Sequence, residues 1–333
     1  MNYRRLGKTG LKVSEIGFGC GNIGGLIIRG THEDQLNAVK RALKMGINYF
    51  DTAPSYGDGR SEIHLGNVLA ELNPDVVLAT KVGLTQRDMG DVKGVVQRSV
   101  ENSLKRLRRD SVDVLQLHSR VAMTRGSATW EGALSVDDVI GKNGVADAFE
   151  AIRSQGLTRF IGFTGIGEAT ALHRIIGSGR FDVLQAYYNL INPSAGWRVP
   201  DGFKGYDFKS LIDKAADRDM GVLAIRVMAA GALGGDEARS GYASPTVGGP
   251  LVPKSEYEKD EAAVRSLSFL VSGDVKSLPQ AALRFALMHP AVSVALVGFS
   301  NLSQIEEAAA CSGAGPLPES HLERLKKIWA NAP

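Results

Sequence analysis

Short apolar runs alternate with longer amphipathic stretches along almost the whole chain. The run Ile16–Gly19 is followed by Leu36, Val39 and Leu43, spaced for one face of a helix. Thr31 is placed to cap that helix, Glu33 and Asp34 sit in its first turn, and Gly46 stops it. Asn48–Asp51 reads as the next strand, and Leu65, Val68, Leu69 and Leu72 as a helix closed by Pro74. The rhythm then repeats. Strands at Val76–Lys81, Val112–His118, Phe160–Phe163, Val183–Ala186, Gly221–Ile225 and Val292–Val297 alternate with apolar faces built on Val96, Phe149, Leu172, Leu211 and a helix opening at Pro279. About eight strand–helix units predict an α/β fold of the (β/α)₈ TIM barrel type, formed as a single domain over residues 1–333. An open doubly wound sheet would need fewer units and would split this length into domains. Ahead of the barrel, Tyr3–Leu6 and Leu11–Ile16 about Gly7–Gly10 predict an N-terminal β-hairpin.

Two stretches break the rhythm, residues 119–142 and the Gly-, Ser- and Pro-rich tract 228–257 with its Gly248-Gly249-Pro250. Both follow strands, so both are expected as long loops on the C-terminal face, where barrels carry their active sites. Either is a candidate lid or substrate wall.

Composition narrows the function. The chain has 333 residues with 44% hydrophobic content, enough for a large core, and 39 basic against 36 acidic side chains, interspersed in sign. That balance gives little support to nucleic-acid binding. Cys20 and Cys311 form no CxxC pattern, which argues against a zinc site or a disulfide framework. With no apolar signal core at the N-terminus and no membrane-length apolar run, a cytoplasmic protein is the expectation. His32, His64, His173, His289 and His321 lie in or beside predicted helices without an HExxH pair, and no metal site is expected.

Candidate chemistry gathers at strand ends. One strand stops at Asp51 and delivers Tyr56 from the following loop; the next two end on Lys81 and His118. Strand ends of one barrel converge on one mouth, so four reactive side chains are expected together. A tyrosine hydroxyl, with an ordinary pKa near 10, is a weak donor at neutrality. A lysine cation beside it favours the anion and is expected to lower that pKa, while a histidine shares or relays the proton. Asp51 would tether the lysine. Such a group suits proton transfer to a carbonyl oxygen or from an alcohol.

Phe50-Asp51-Thr52-Ala53 through Tyr56-Gly57, Ala79-Thr80-Lys81 and Leu115-Gln116-Leu117-His118 resemble the signatures of the aldo-keto reductases in order and spacing. The resemblance runs from the opening hairpin to the helix after Gly298. It implies a barrel that binds a nicotinamide dinucleotide in extended form, with Tyr56 as general acid/base, Asp51 and Lys81 tuning it, and His118 orienting substrate or sharing the proton. It further implies Gln185 at the carboxamide, Thr164 in place of a serine, and Gly19 and Asp51 beside the cofactor. Arg226 is the candidate for the pyrophosphate. Gly298, Ser300, Gln304 and Glu307 fall in the segment that grips the adenosine phosphate, where a helix N-terminus offers free N–H groups.

NADP is the expected cofactor by family habit. NAD is the alternative, because Asn301 stands where NADP-preferring relatives often carry a cation. Gly165 departs from a common asparagine, and Ile225–Gly231 from the usual aromatic or Ser-Pro-Leu run. Trp130 and Trp197 are candidate walls of the substrate pocket. The implied activity is hydride transfer between nicotinamide and an aldehyde, ketone or sugar-type carbonyl. The competing readings are a nicotinamide-binding, redox-sensing regulatory module with little turnover, and a metal-dependent barrel hydrolase, which would leave the Tyr and Lys pairing without a role.

Overall fold

The computed structural model describes residues 1–331 apart from 236–238, 240, 247, 248 and 256. Its strands are β1 (Tyr3–Arg5), β2 (Lys12–Ser14), β3 (Ile16–Gly19), β4 (Tyr49–Asp51), β5 (Val77–Val82), β6 (Val112–Leu117), β7 (Val121–Ala122), β8 (Leu134–Ser135), β9 (Thr158–Gly165), β10 (Val183–Tyr187), β11 (Gly221–Ile225) and β12 (Val292–Gly298). Eight of them close into a barrel in the order β3-β4-β5-β6-β9-β10-β11-β12, each paired in parallel with its neighbours. The apolar runs are short and nearly continuous because such strands are covered on both faces: helices outside, packed side chains inside. All six residues of β5 are buried.

Helices form where the sequence pattern places them. Thr31 accepts from the Asp34 N–H at the start of His32–Lys44. Ser277 caps Leu278–Met288, with proline in the first turn where its missing N–H is no loss. Asn73, in the left-handed region, ends Arg60–Leu72 just before Pro74.

The β1–β2 hairpin is antiparallel, with Tyr3 opposite Ser14, and it plugs the N-terminal end of the barrel. Leu6, Leu11 and Val13 pack against Tyr49, Val77, Val114, Leu223 and Val294. Gly7, at φ +49°, allows the hairpin turn to approach β11 closely, since a Cβ there would lie 2.2 Å from the Gly221 nitrogen. With one end sealed, chemistry is confined to the other.

Residues 119–142 are not a structureless loop. β7 and β8 pair in parallel within them, and Ser135 and Asp138 form a capping box opening the helix Val136–Ile140. Trp130, Leu134, Val136 and Val139 are buried beneath this segment. Strands of two residues are too short to show alternation, so the sequence pattern misses them. Within 228–257, Ala229–Gly231 forms a 3₁₀ turn, and Gly248 lies outside the described residues. The Tyr242 N–H donates to the Ser300 carbonyl at 3.0 Å and the Ser244 N–H to that of Ile23 at 2.8 Å, laying this tract over the ends of β12 and β3, the two strands that follow β11 in the ring.

Candidate active site

Asp51 is the last residue of β4 and points inward with 2% exposure. Lys81, one residue before the end of β5, is fully buried. Its ammonium donates to Asp51 Oδ1 and, at 2.8 Å, to the Thr52 carbonyl. The second carboxylate oxygen, Oδ2, accepts from Gln185 Nε2 on β10 at 2.7 Å and from Gln116 Nε2 on β6 at 3.1 Å. Three strands besides its own therefore hold one carboxylate, which fixes where the lysine cation sits.

Tyr56 stands on the turn after β4. Its N–H donates to the Ala53 carbonyl at 3.1 Å, and the next N–H, of Gly57, donates to Asn22 Oδ1 at 3.0 Å. The Lys81 ammonium lies 4.8 Å from the Tyr56 ring centroid. His118 meets that ring edge-on, with centroids 5.6 Å apart and planes at 88°. The His118 backbone is pinned by its N–H bond to the Val82 carbonyl at 2.8 Å.

Burial and charge set the protonation states. Burial alone would discharge Lys81, but Asp51 and Tyr56 more than offset it and hold its pKa above the ordinary lysine value. Burial pushes Asp51 up, opposed by Lys81 and the two glutamine amides. Burial also raises the Tyr56 phenol; Lys81 opposes this and Asp51 adds to it. The expected lowering by lysine is thus present but outweighed by desolvation, which the sequence does not show. His118 falls to about 3, through burial first and Lys81 second, so its imidazole is neutral near pH 7.

A cavity of about 390 Å³ opens over this cluster and is lined by Gly19, Asp51, Tyr56, His118, Thr164, Gln185, Arg226 and Gly298, among others. A second, of about 420 Å³, shares Ile23, Gly24, Arg226, Leu296 and Gly298 with it and continues to Ser300, Gln304 and Glu307. Together they form a long cleft with chemically distinct ends. Glycines make its wall: a Cβ on Gly24 would lie 2.4 Å from the Gly298 and Phe299 backbone, and one on Gly21 would touch the Tyr56 ring at 3.6 Å.

Thr164 Oγ1 donates to Gln185 Oε1 at 3.3 Å. Gly165 has a local reason, since a Cβ there would stand 2.9 Å from the Gln185 carbonyl. Arg226 has φ +58°, unusual for a side chain with a Cβ, and its carbonyl is held by Asn189 Nδ2 at 3.0 Å. The Ser300 N–H donates to Gln304 Oε1 at 2.8 Å, and Glu307 accepts from the Ser277 hydroxyl.

The two tryptophans do not line either cavity. Trp130 is 3% exposed and packs edge-on to Tyr206 at 5.2 Å, while Trp197 donates from Nε1 to Tyr188 Oη at 2.7 Å and stacks near Phe285. Both are drawn into apolar clusters behind the mouth. Gln116 and Asn22 are the residues that sequence reasoning overlooked. Gln116 had a signal, because it lies two residues before His118 on a strand and so shares its inward face. Asn22 had none. Among the described residues, no group of His, Cys, Asp or Glu side chains is arranged to hold a metal ion. None of the helices is long and apolar enough to cross a membrane, again among the described residues.

A closed barrel gathers an acid, a tyrosine, a lysine and a histidine around one mouth, a cluster suited to moving a proton at a carbonyl or alcohol oxygen. The Aldo/keto reductase family model matches residues 15–330, and the chain belongs to that family. It is 28% identical to the L-galactose dehydrogenase of Arabidopsis thaliana, over 93% of this chain and 88% of the relative. It is 24% identical to the L-glyceraldehyde 3-phosphate reductase of Escherichia coli O157:H7, over 92% and 86%. Among solved structures, the holo form of the aldo-keto reductase AKR11C1 from Bacillus halodurans superposes with a TM-score of 0.71 at 23% identity, covering 98% of this chain and 96% of that one. An aldo/keto reductase from Klebsiella pneumoniae in complex with NADP and acetate gives 0.65 at 20% identity, covering 99% and 95%.

Proposed function

We propose that this chain interconverts a carbonyl and an alcohol on a small aldehyde, ketone or sugar-type substrate, using NADP, or NAD as the alternative, with Tyr56 as general acid/base. The observation that carries the reading is the single cavity in which Tyr56 and His118 face each other while Lys81 stands behind the tyrosine, tethered to Asp51. The dinucleotide, when bound, supplies or accepts the hydride.

The cleft suits such a group. It is long, walled by glycine backbone, and offers amide and hydroxyl groups at one end and a cation in its middle. Thr164 and Gln185 would hold the carboxamide, Arg226 the pyrophosphate, and Gly298, Ser300, Gln304 and Glu307 the adenosine side, with Gly19 and Asp51 closing the floor.

The protein's own residues move the proton. Tyr56, kept protonated at neutrality by burial, donates to the carbonyl oxygen in reduction and takes the proton back from the alcohol in oxidation. Lys81 stabilises the phenolate left behind, and Asp51 with its two glutamine donors keeps the ammonium from wandering. Neutral His118 offers a ring N–H to the substrate oxygen without competing for its proton. The names of the two curated relatives, one acting on L-galactose and one on a triose phosphate, support a sugar-type carbonyl.

The test is turnover of NADPH and NADH with a panel of small aldehydes and sugars, followed by absorbance of the reduced nucleotide. Tyr56→Phe is expected to lower kcat by about 10²- to 10⁴-fold while leaving nucleotide binding in place. Tight nucleotide binding with no turnover for any substrate, and indifference to that substitution, would favour the redox-sensing regulatory module instead.

A further inference from the structure

We propose that the substrate carries an anionic group, a carboxylate or a phosphate, and that Arg120 is the residue that recognises it. This rests on the oxidoreductase reading of the same site.

Arg120 lies two residues beyond His118, where the chain leaves β6. Its backbone is not free to drift: its carbonyl accepts from the Leu134 N–H at 2.9 Å, and the adjacent Val121 pairs with both Leu134 and Gly167. From this fixed base the side chain reaches over the mouth, and Nη2 donates to the Pro250 carbonyl at 3.2 Å. Pro250 belongs to the segment after β11, and β11 stands three strands from β6 in a ring of eight, almost opposite. The guanidinium therefore spans the opening.

One carbonyl contact uses little of what a guanidinium offers, since most of its N–H donors remain available for a planar, two-oxygen acceptor. Arg120 has no carboxylate partner among the described residues, unlike Arg125 in the same segment, whose side chain is paired with Asp138. Among the described residues, the only carboxylate lining this cavity is Asp51, and it is committed to Lys81. The mouth is therefore positive, and an exposed cation at the rim of a concave site attracts anions.

Two arginines line the reaction cavity, and the cleft separates their duties. Arg226 lines both cavities, at the junction where a long dinucleotide would pass. Arg120 lines only the reaction cavity, beside His118 and Ser119. A cation there faces the part of the substrate beyond its reacting carbonyl. Carboxylate and phosphate share the geometry that a guanidinium fork accepts, so the shared chemistry is what the site selects.

The experiment compares matched substrates at saturating reduced nucleotide: glyceraldehyde 3-phosphate against glyceraldehyde, and succinic semialdehyde against a neutral ester of it. At least one charged member is expected to exceed its neutral counterpart in kcat/KM by about 10- to 100-fold, carried mainly by KM, and the pair that shows it distinguishes phosphate from carboxylate. Arg120→Gln is expected to bring that ratio toward one, and Arg120→Lys to restore part of it. A structural role for Arg120 would instead lower both members of a pair alike. Equal or better turnover of the neutral members, or a ratio unmoved by Arg120→Gln, overturns the proposal while leaving the oxidoreductase reading intact. No turnover with any compound, with or without Tyr56→Phe, overturns both.

Discussion

Replacing Lys81 by methionine removes the cation that pairs with a carboxylate buried to 2% exposure. Methionine fills much of the same space, so the loss is chiefly electrostatic. Asp51 would keep its two glutamine donors at 2.7 and 3.1 Å but lose its counter-ion. Breaking a buried pair by removing one partner destabilises by about 3–5 kcal/mol, because the remaining charge has neither water nor a partner. The double substitution Asp51→Asn, Lys81→Met removes both charges and keeps an amide in the carboxylate's place. It is expected to recover at least half of that loss.

The pH dependence has a definite sign. Burial already raises Asp51, and loss of Lys81 raises it further. An acid whose folded pKa lies above its unfolded value, about 3.9, is tolerated below that value and destabilises progressively as pH climbs through the folded one. The deficit of Lys81→Met is therefore largest near neutrality and shrinks in acid. Urea unfolding followed by tryptophan fluorescence at pH 7 and pH 5 measures all three proteins. A double variant no more stable than Lys81→Met, or a deficit that grows in acid, would refute the assignment of a buried, electrostatically coupled pair.

Three further outcomes follow from the same structure. His118 sits near 3 instead of the ordinary 6.5, so the pH profile of kcat/KM is expected to show no histidine step between pH 5 and 8; a step there that disappears in His118→Gln contradicts the burial argument. Because the unfolded chain takes up a proton on this residue below about 6.5 and the folded one does not, stability is present above that pH and drains away toward 3, less so in His118→Gln. Trp197→Phe loses the bond to Tyr188 Oη and is expected to lower stability by about 1 kcal/mol in urea unfolding without changing KM. A KM change of several-fold without loss of stability would return Trp197 to the substrate pocket.

The alternation of apolar runs and amphipathic stretches was sufficient to read the barrel, because strands covered on both faces and helices covered on one leave different local periods in the chain. It also placed Asp51, Lys81 and His118 at strand ends, and barrel closure alone then makes strand ends neighbours. Local pattern stops there. Gln116 and Gln185 reach Asp51 across 65 and 134 residues of chain, Asn22 finds Gly57 across 35, and Arg120 finds Pro250 across 130. No spacing rule connects such pairs, since each depends on how the ring closes and which loop ends above which strand. The same holds for the two tryptophans, whose large apolar surfaces are claimed by Tyr206 and by Phe285 with Trp329 behind the mouth. Protonation was decided at this level too. Sequence supplies a lysine to lower the tyrosine, but only the packed barrel supplies the desolvation that outweighs it.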